Sequence, residues 1–193
     1  MKTFLAELRT ALLLTAVFAV LLCGVYPLAV WAGGQALFAS KANGSLVTDA
    51  DGTVRGSALL GQSFTSDKYF NSRPSAAGAG YDATSSSGTN LGPTSQKLAD
   101  SIKAAVAGYR TSNHIAPDAP VPADAVTASA SGLDPHISLA NAQLQAPRVA
   151  ETRHLPLATV TGLIAAHTDA RDFNLGEPGV NVLLLNRALD EIK

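Results

Sequence analysis

Apolar positions follow two different regimes along this chain. Residues 10–40 carry no formal charge and are bracketed by Arg9 and Lys41. The densest part, residues 11–31, reads ALLLTAVFAVLLCGVYPLAVW. A bilayer core takes about 20 apolar residues in a helix, so this run is long enough to span with some tilt. Gly24 and Pro27 would break a helix in water but are tolerated in membrane spans. Tyr26 and Trp31 sit toward the distal end, where amphipathic rings favour the water interface. Lys2 and Arg9 precede the span with Glu7 as a partial offset. That bias puts the N-terminus in the cytoplasm and the rest of the chain outside. A cleaved secretory signal is the competing reading, with Val30-Trp31-Ala32 as a site that just satisfies the small-residue rule. Its apolar region is normally only about 7–15 residues, so length favours an uncleaved anchor. Bulky Leu22 before Cys23 argues against lipoprotein processing, and Cys23 reads as a small membrane hydrophobe.

Beyond Lys41 the pattern becomes that of a water-soluble domain. Asn43-Gly44 and Asp51-Gly52 are turn pairs in a polar linker with the makings of a hairpin. Residues 57–64 form an apolar run of strand length. Residues 69–94 are rich in Ser, Gly and Pro, yet punctuated by Tyr69, Phe70, Arg73, Tyr81, Asp82, Asn90 and Pro93. This composition predicts a long, ordered, partner-facing loop. Thr94 or Ser95 caps a helix whose apolar face is Leu98, Ile102, Ala105, Val106 and Tyr109, ending near Ser112-Asn113. Residues 125–131 read as a buried strand. Residues 135–145 read as a helix that Pro147 ends or kinks. Pro156 opens a helix with Leu157, Val160, Leu163 and Ile164 on its apolar face. Residues 180–192 predict a last helix with a stripe of Val182, Leu183, Leu185, Leu189 and Ile192. The fold class expected is α+β, with one N-terminal transmembrane helix and a single mixed α+β extracytoplasmic domain. The divisions are a cytoplasmic N-terminus over 1–9, the transmembrane helix over 10–33, a linker over 34–56 and the soluble domain over 57–193.

Composition narrows the chemistry. Of the 193 residues 47% are hydrophobic and only 15% charged, and the net charge is −1. That excludes nucleic-acid binding through bulk positive charge. A single Cys excludes an intramolecular disulfide framework and a Cys-based zinc site. P-loop, Gly-x-Ser-x-Gly and His-Glu-x-x-His patterns are all missing. His114, His136, His154 and His167 lack ligand spacing and read as surface or hydrogen-bonding residues. Asp134 and His136 support two readings. One is a base-and-orienter pair; the other is an Asp134 cap on a helix starting at Pro135. Arg73 and Arg148, each beside Pro, suit an anion or a structural ion pair. Asn181 suits a cap on the last helix, and Asn186 a buried polar contact.

Several short runs then occur in a telling order. Gly61-Gln62-Ser63-Phe64, Tyr69-Phe70, Arg73-Pro74-Ser75-Ala76-Ala77-Gly78, Gly80-Tyr81-Asp82 and Asn90-Leu91-Gly92-Pro93-Thr94 come first. Val121-Pro122-Ala123-Asp124, Val126-Thr127-Ala128-Ser129 and the specific Ser131-Gly132-Leu133-Asp134-Pro135-His136-Ile137-Ser138 follow. Gln145 with Pro147-Arg148-Val149-Ala150, and Val180-Asn181-Val182-Leu183 with Leu185-Asn186, complete the set. Together they resemble the C subunit of the bacterial potassium-transporting P-type ATPases (KdpC), over nearly the whole chain. Ala130, Thr89 and Gly179 depart from the pattern, where Gly, Ser and Arg respectively are usual.

The resemblance implies a single-span accessory subunit of an inner-membrane pump, not an enzyme by itself. Its implied partners are a potassium-selective channel-like subunit, a P-type ATPase subunit, a small single-span subunit and the lipid bilayer, with no nucleic acid. No cofactor is expected on this chain; ATP, through the ATPase subunit, and potassium are handled by the complex. The implied role is that of a catalytic chaperone raising the ATPase subunit's affinity for ATP. A domain outside the membrane cannot touch cytoplasmic ATP, so such an effect is expected to be allosteric. Tyr81, Asp82, Asn90, Asp134, His136, Arg148 and Asn181 are the candidate partner or ion-entrance surface, with no catalytic or metal residues. Two alternatives stay open: a cover over the potassium entrance without effect on ATP, and a membrane-anchored periplasmic enzyme using Asp134 and His136.

Overall fold

A computed structural model describes residues 2–49, 51–169 and 176–192. The chain divides into two compact units, Met1–Arg55 and Gly56–Lys193.

The first unit is helical almost throughout. α1 (Lys2–Val20) runs into a π-helical turn over Leu21–Val25 and on into α2 (Tyr26–Ala42). Pro27 has no N–H to offer the Cys23 carbonyl, and Gly24 adds freedom nearby. The helix responds by widening: the Tyr26 N–H bonds the Leu21 carbonyl five residues back. Residues Thr3–Ala42 form one helix of 40 residues whose most apolar window is wholly unburied. At about 1.5 Å per residue that is roughly 60 Å, twice a bilayer core. The helix therefore continues through the first part of the expected linker, with a break in helical backbone at Phe38. The turn pairs behave as expected. β1 (Leu46–Thr48) pairs with β2 (Val54–Ser57). The Gly52 N–H bonds the Asp49 carbonyl at 3.0 Å with Gly52 at φ +86°.

The second unit is a helical layer on a small sheet. Among the described residues its helices are α3 (Gln96–Ser112), α4 (Ala123–Val126), α5 (Leu139–Thr152), α6 (Leu157–Ala166) and α7 (Val182–Glu191). β3 (His136–Ser138) and β4 (Gly179–Asn181) pair antiparallel with Ile137 opposite Val180. Thr168 bridges Val180 from the other side of β4. Both paired β-branched side chains are buried and meet Ala142, Ala146, Val149, Val160, Ile164, Val182, Leu185 and Leu189 in one core. The largest member, Phe70, is wholly buried and comes from the long loop rather than from any helix or strand.

Side-chain caps place three helices. Ser95, Ser138 and Asn181 accept from the amides of Leu98, Asn141 and Leu184 respectively. Four expected elements differ. β2 ends at Ser57, and a turn closed by Leu60 N–H to the Ser57 carbonyl leaves Leu59 and Leu60 exposed, so no strand runs to 64. Residues 125–131 hold the end of one-turn α4 and irregular chain, with no strand alongside. A strand precedes α5, so its cap is Ser138 rather than Asp134. Another precedes α7, which starts at Val182. Pro147 neither ends nor interrupts α5. Its ring and Gln143, whose carbonyl loses a partner, both lie on the solvent side, where water substitutes.

Candidate functional site

The loop that carries Phe70 explains why most polar candidates sit where they do. Its backbone over 67–71 has no strand beside it among the described residues, and helix side chains supply the hydrogen bonds that a strand would have given. Asn186 of α7 accepts from the Phe70 N–H at 2.8 Å and donates to its carbonyl at 2.9 Å. Gln145 of α5 accepts from the Asn71 N–H at 2.7 Å and donates to its carbonyl at 3.1 Å. Arg148 donates to the carbonyls of Asp67 and Tyr69, and to the side-chain oxygens of Asn71, Gln145 and Asn113. Asn141, Gln145 and Arg148 are four and three residues apart, one buried polar stripe along α5. Asp124 heads it, accepting from the Ser138 N–H, the Ser138 hydroxyl and the Asn141 amide. Tyr109 of α3 donates to Asn141 Oδ1 at 2.7 Å, and burial pushes its hydroxyl's pKa up.

The candidates fall into three places. Arg148 and Asn181 are interior, 3% and 4% exposed. Burial pushes the Arg148 guanidinium down, and five oxygens solvate it in place of water. Asn181 caps α7 and donates to the Ala58 carbonyl at 2.9 Å. Asp82 and Asn90 lie exposed on the long loop. Asp82 closes a turn on Thr84, whose hydroxyl and then amide hold its pKa below the usual carboxylate value. Asn90 has φ +52°, a conformation that Asn tolerates.

Tyr81, Asp134 and His136 form one cluster, and Arg73 and Asp169 complete it. Arg73 Nη1 lies 3.0 Å from Asp134 Oδ2. Tyr81, itself at φ +58°, donates its hydroxyl to the Arg73 carbonyl. Gly61 makes this approach feasible: a Cβ there would lie 2.5 Å from the Asp134 carbonyl oxygen and 2.7 Å from the Tyr81 ring. Asp134 Oδ1 accepts from the His136 amide at 2.9 Å and lies 3.6 Å from His136 Nδ1. His136 Nε2 sits 2.8 Å from Asp169 Oδ2. The imidazole and then Arg73 hold Asp134 below the usual carboxylate value; Asp134 and then Asp169 hold His136 above its ordinary one. Arg73 also lies between two open hollows. One of about 510 Å³ includes Leu59, Leu60, Leu133 and Asp134 in its walls. The other, of about 250 Å³, includes Phe64, Pro74 and Tyr81. Among the described residues Arg73 Nε is the buried side-chain polar atom without a partner.

Both imidazole nitrogens face carboxylates, Nε2 at 2.8 Å from Asp169 Oδ2 and Nδ1 at 3.6 Å from Asp134 Oδ1. Among the described residues no three His, Cys, Asp or Glu side chains converge to hold a metal ion. Sequence reasoning left Asp169, Asn141 and Gln145 out of the candidates. The polar spacing along α5 was a legible signal for the last two; nothing local marked Asp169.

The family described as "K+-transporting ATPase, c chain", KdpC, matches residues 8–191. The chain is 54% identical over 187 residues to the potassium-transporting ATPase KdpC subunit of Mycobacterium bovis BCG, covering 96% of this chain and 98% of that protein. The KdpC subunit of Caulobacter vibrioides is also 54% identical, with 96% and 93% covered. That of Nitratidesulfovibrio vulgaris is 51% identical over 192 residues, with 97% and 95% covered.

Proposed function

The chain belongs to the KdpC family of K+-transporting ATPase c chains, and on that premise we propose that it is the non-catalytic accessory subunit of an ATP-driven potassium uptake pump. The carrying observation is that the match spans both units, anchor helix and folded domain alike. The apolar helix fits a single inner-membrane span with the N-terminus inside, and Gly56–Lys193 outside. Its partners are the channel-like, P-type ATPase and small single-span subunits. Potassium conduction and ATP hydrolysis belong to those partners.

Any effect on ATP from outside the membrane is a coupling free energy. The domain must bind two pump states unequally, and so bias the one that holds ATP tightly. A rigid domain suits that task, and the polar stripe of α5 with the amide clamps on residues 70 and 71 supports rigidity. The test is the pump purified with and without this subunit. A lower apparent ATP affinity without it is expected; unchanged ATP affinity and unchanged potassium-stimulated turnover would overturn the reading. Orientation is tested separately by replacing Cys23, the sole cysteine, with Ser and introducing Ser85→Cys on the exposed loop. A membrane-impermeant maleimide is expected to label it in intact cells. Labelling only after lysis would place the domain inside.

A further inference from the structure

The side chain of His136 does not stay on its own strand. β4 lies between β3 and the short segment Thr168-Asp169: Ile137 pairs with Val180, and Val180 is bridged by Thr168. The Asp169 N–H bonds the Gly179 carbonyl at 2.8 Å, and the Asn181 N–H bonds the His167 carbonyl at 3.2 Å. Yet His136 on β3 reaches Asp169 at 2.8 Å, across the intervening strand. The gap that admits it is Gly179. A Cβ built there would meet His136 Cβ at 3.1 Å, Cγ at 3.3 Å and Cδ2 at 3.4 Å. The ring therefore lies in the space that any other residue would fill.

From this geometry we propose that Gly179, His136, Asp134 and Asp169 form a proton-operated clasp that fastens the sheet across β4. The chemistry follows from the donor count of the ring. An imidazolium has two N–H groups, one for each carboxylate. A neutral ring has one. Keeping it on Nε2 for Asp169 turns a lone pair toward the Asp134 carboxylate, 3.6 Å from Nδ1; keeping it on Nδ1 turns a lone pair toward Asp169. Either way one side of the clasp becomes repulsive when the proton leaves. Among the described residues, the charged groups facing His136 are Asp134, before β3, and Asp169, after α6. Arg73 faces it only through Asp134. β4 contributes no charge, and Asp124 of α4 is turned to Ser138 instead. With the proton the group of four charges is neutral; without it, it carries −1.

The sign follows directly. The folded-state value of His136 is raised above the ordinary 6.5 by Asp134 and then Asp169. The clasp is thus fully present below 6.5 and is lost as pH rises through the folded value. This makes the sheet edge a sensor of the pH outside it, whichever role the domain plays in a pump.

The test is a titration of the full chain in detergent with ¹⁵N-labelled histidine, His136 being assigned by His136→Gln. The His136 midpoint is expected above 6.5 and to move down in Asp169→Asn. Asp169 is a suitable handle because its side chain is 66% exposed, so the variant should fold. Gly179→Val, which crowds the ring, is expected to lower the midpoint in the same way. Thermal unfolding provides the second readout. The parent should melt higher than Asp169→Asn at about pH 5, with the gap closing by about pH 9. A His136 midpoint at or below 6.5, unmoved by Asp169→Asn, would overturn the clasp, as would a melting gap that does not change with pH.

Discussion

Asn186 treats Phe70 as a neighbouring strand would, accepting from its amide and donating to its carbonyl with both residues buried. An apolar replacement leaves two backbone groups dry and unpaired. Each costs about 1–3 kcal/mol, so Asn186→Leu should lose about 2–6 kcal/mol despite its matching branched skeleton. Denaturant unfolding measures it. A loss under about 0.5 kcal/mol would mean that residues 69–71 do not depend on the clamp.

Phe70 is the matching test from the apolar side. Its ring is wholly buried among side chains of α5, α6 and α7. Phe70→Ala should cost about 3–5 kcal/mol, the usual range for a core aromatic. Substituting the anchor of an irregular segment should thus damage the domain as much as substituting a helix residue.

Arg148 is buried among neutral oxygens, with no carboxylate among its hydrogen-bond partners in the described residues. Arg148→Met keeps an unbranched apolar stem but leaves those oxygens without donors. Arg148→Lys keeps charge but cannot reproduce a planar fork serving five acceptors. Both variants should be destabilised in urea titrations, by about 1–3 kcal/mol for each oxygen left dry and unpaired. Recovery by Lys alone would show that charge matters more than geometry.

Periodicity made the helices readable: the caps at Ser95 and Asn181 and the apolar stripe of α7 follow from local spacing. The two short strands were not readable, because a three-residue strand such as His136–Ser138 has too few alternations to register. Pro135 also looked like a helix start, yet its carbonyl accepts from the Val182 N–H at 3.0 Å and so begins the sheet instead. The long loop was recognisable as ordered from its aromatic and charged residues. That Phe70 anchors the core, and that Arg148 works from inside, depended on contacts more than 70 residues apart in sequence. Tyr81, Asp134 and His136 came together through Gly61, whose role is visible only once the backbones meet.

On the acid side, stability should fall for a different reason. Asp134 is held below the ordinary 3.8 by His136 and then Arg73. A depressed carboxylate stabilises the fold above its unfolded value, and that contribution is lost as pH falls through the folded value. With its side chain 30% exposed, the pair is worth about 1 kcal/mol after screening. Asp134→Asn should therefore unfold with a flatter pH dependence between about pH 2 and about pH 4. An unchanged slope would assign the acid sensitivity to other carboxylates.

Gly132 closes the loop against the segment that carries Asp134. It stands at φ +68°, and a Cβ there would lie 2.7 Å from both the Ala77 amide nitrogen and the Ser87 carbonyl oxygen. Neither is the end of a flexible side chain, so backbone must move. Around it the Ser75 hydroxyl donates to the Gly132 carbonyl at 2.6 Å, and the Ser87 N–H and Ser86 hydroxyl bond the Ser131 carbonyl. Gly132→Ala combines left-handed strain of about 1–3 kcal/mol with the loss of these bonds. It should release residues 75–88 to limited proteolysis before the domain as a whole unfolds. Gly92→Ala is the control, because its Cβ would meet nothing within 4 Å, and it should stay within about 0.5 kcal/mol of the parent. Equal protease resistance in the two variants would mean that the loop is held elsewhere.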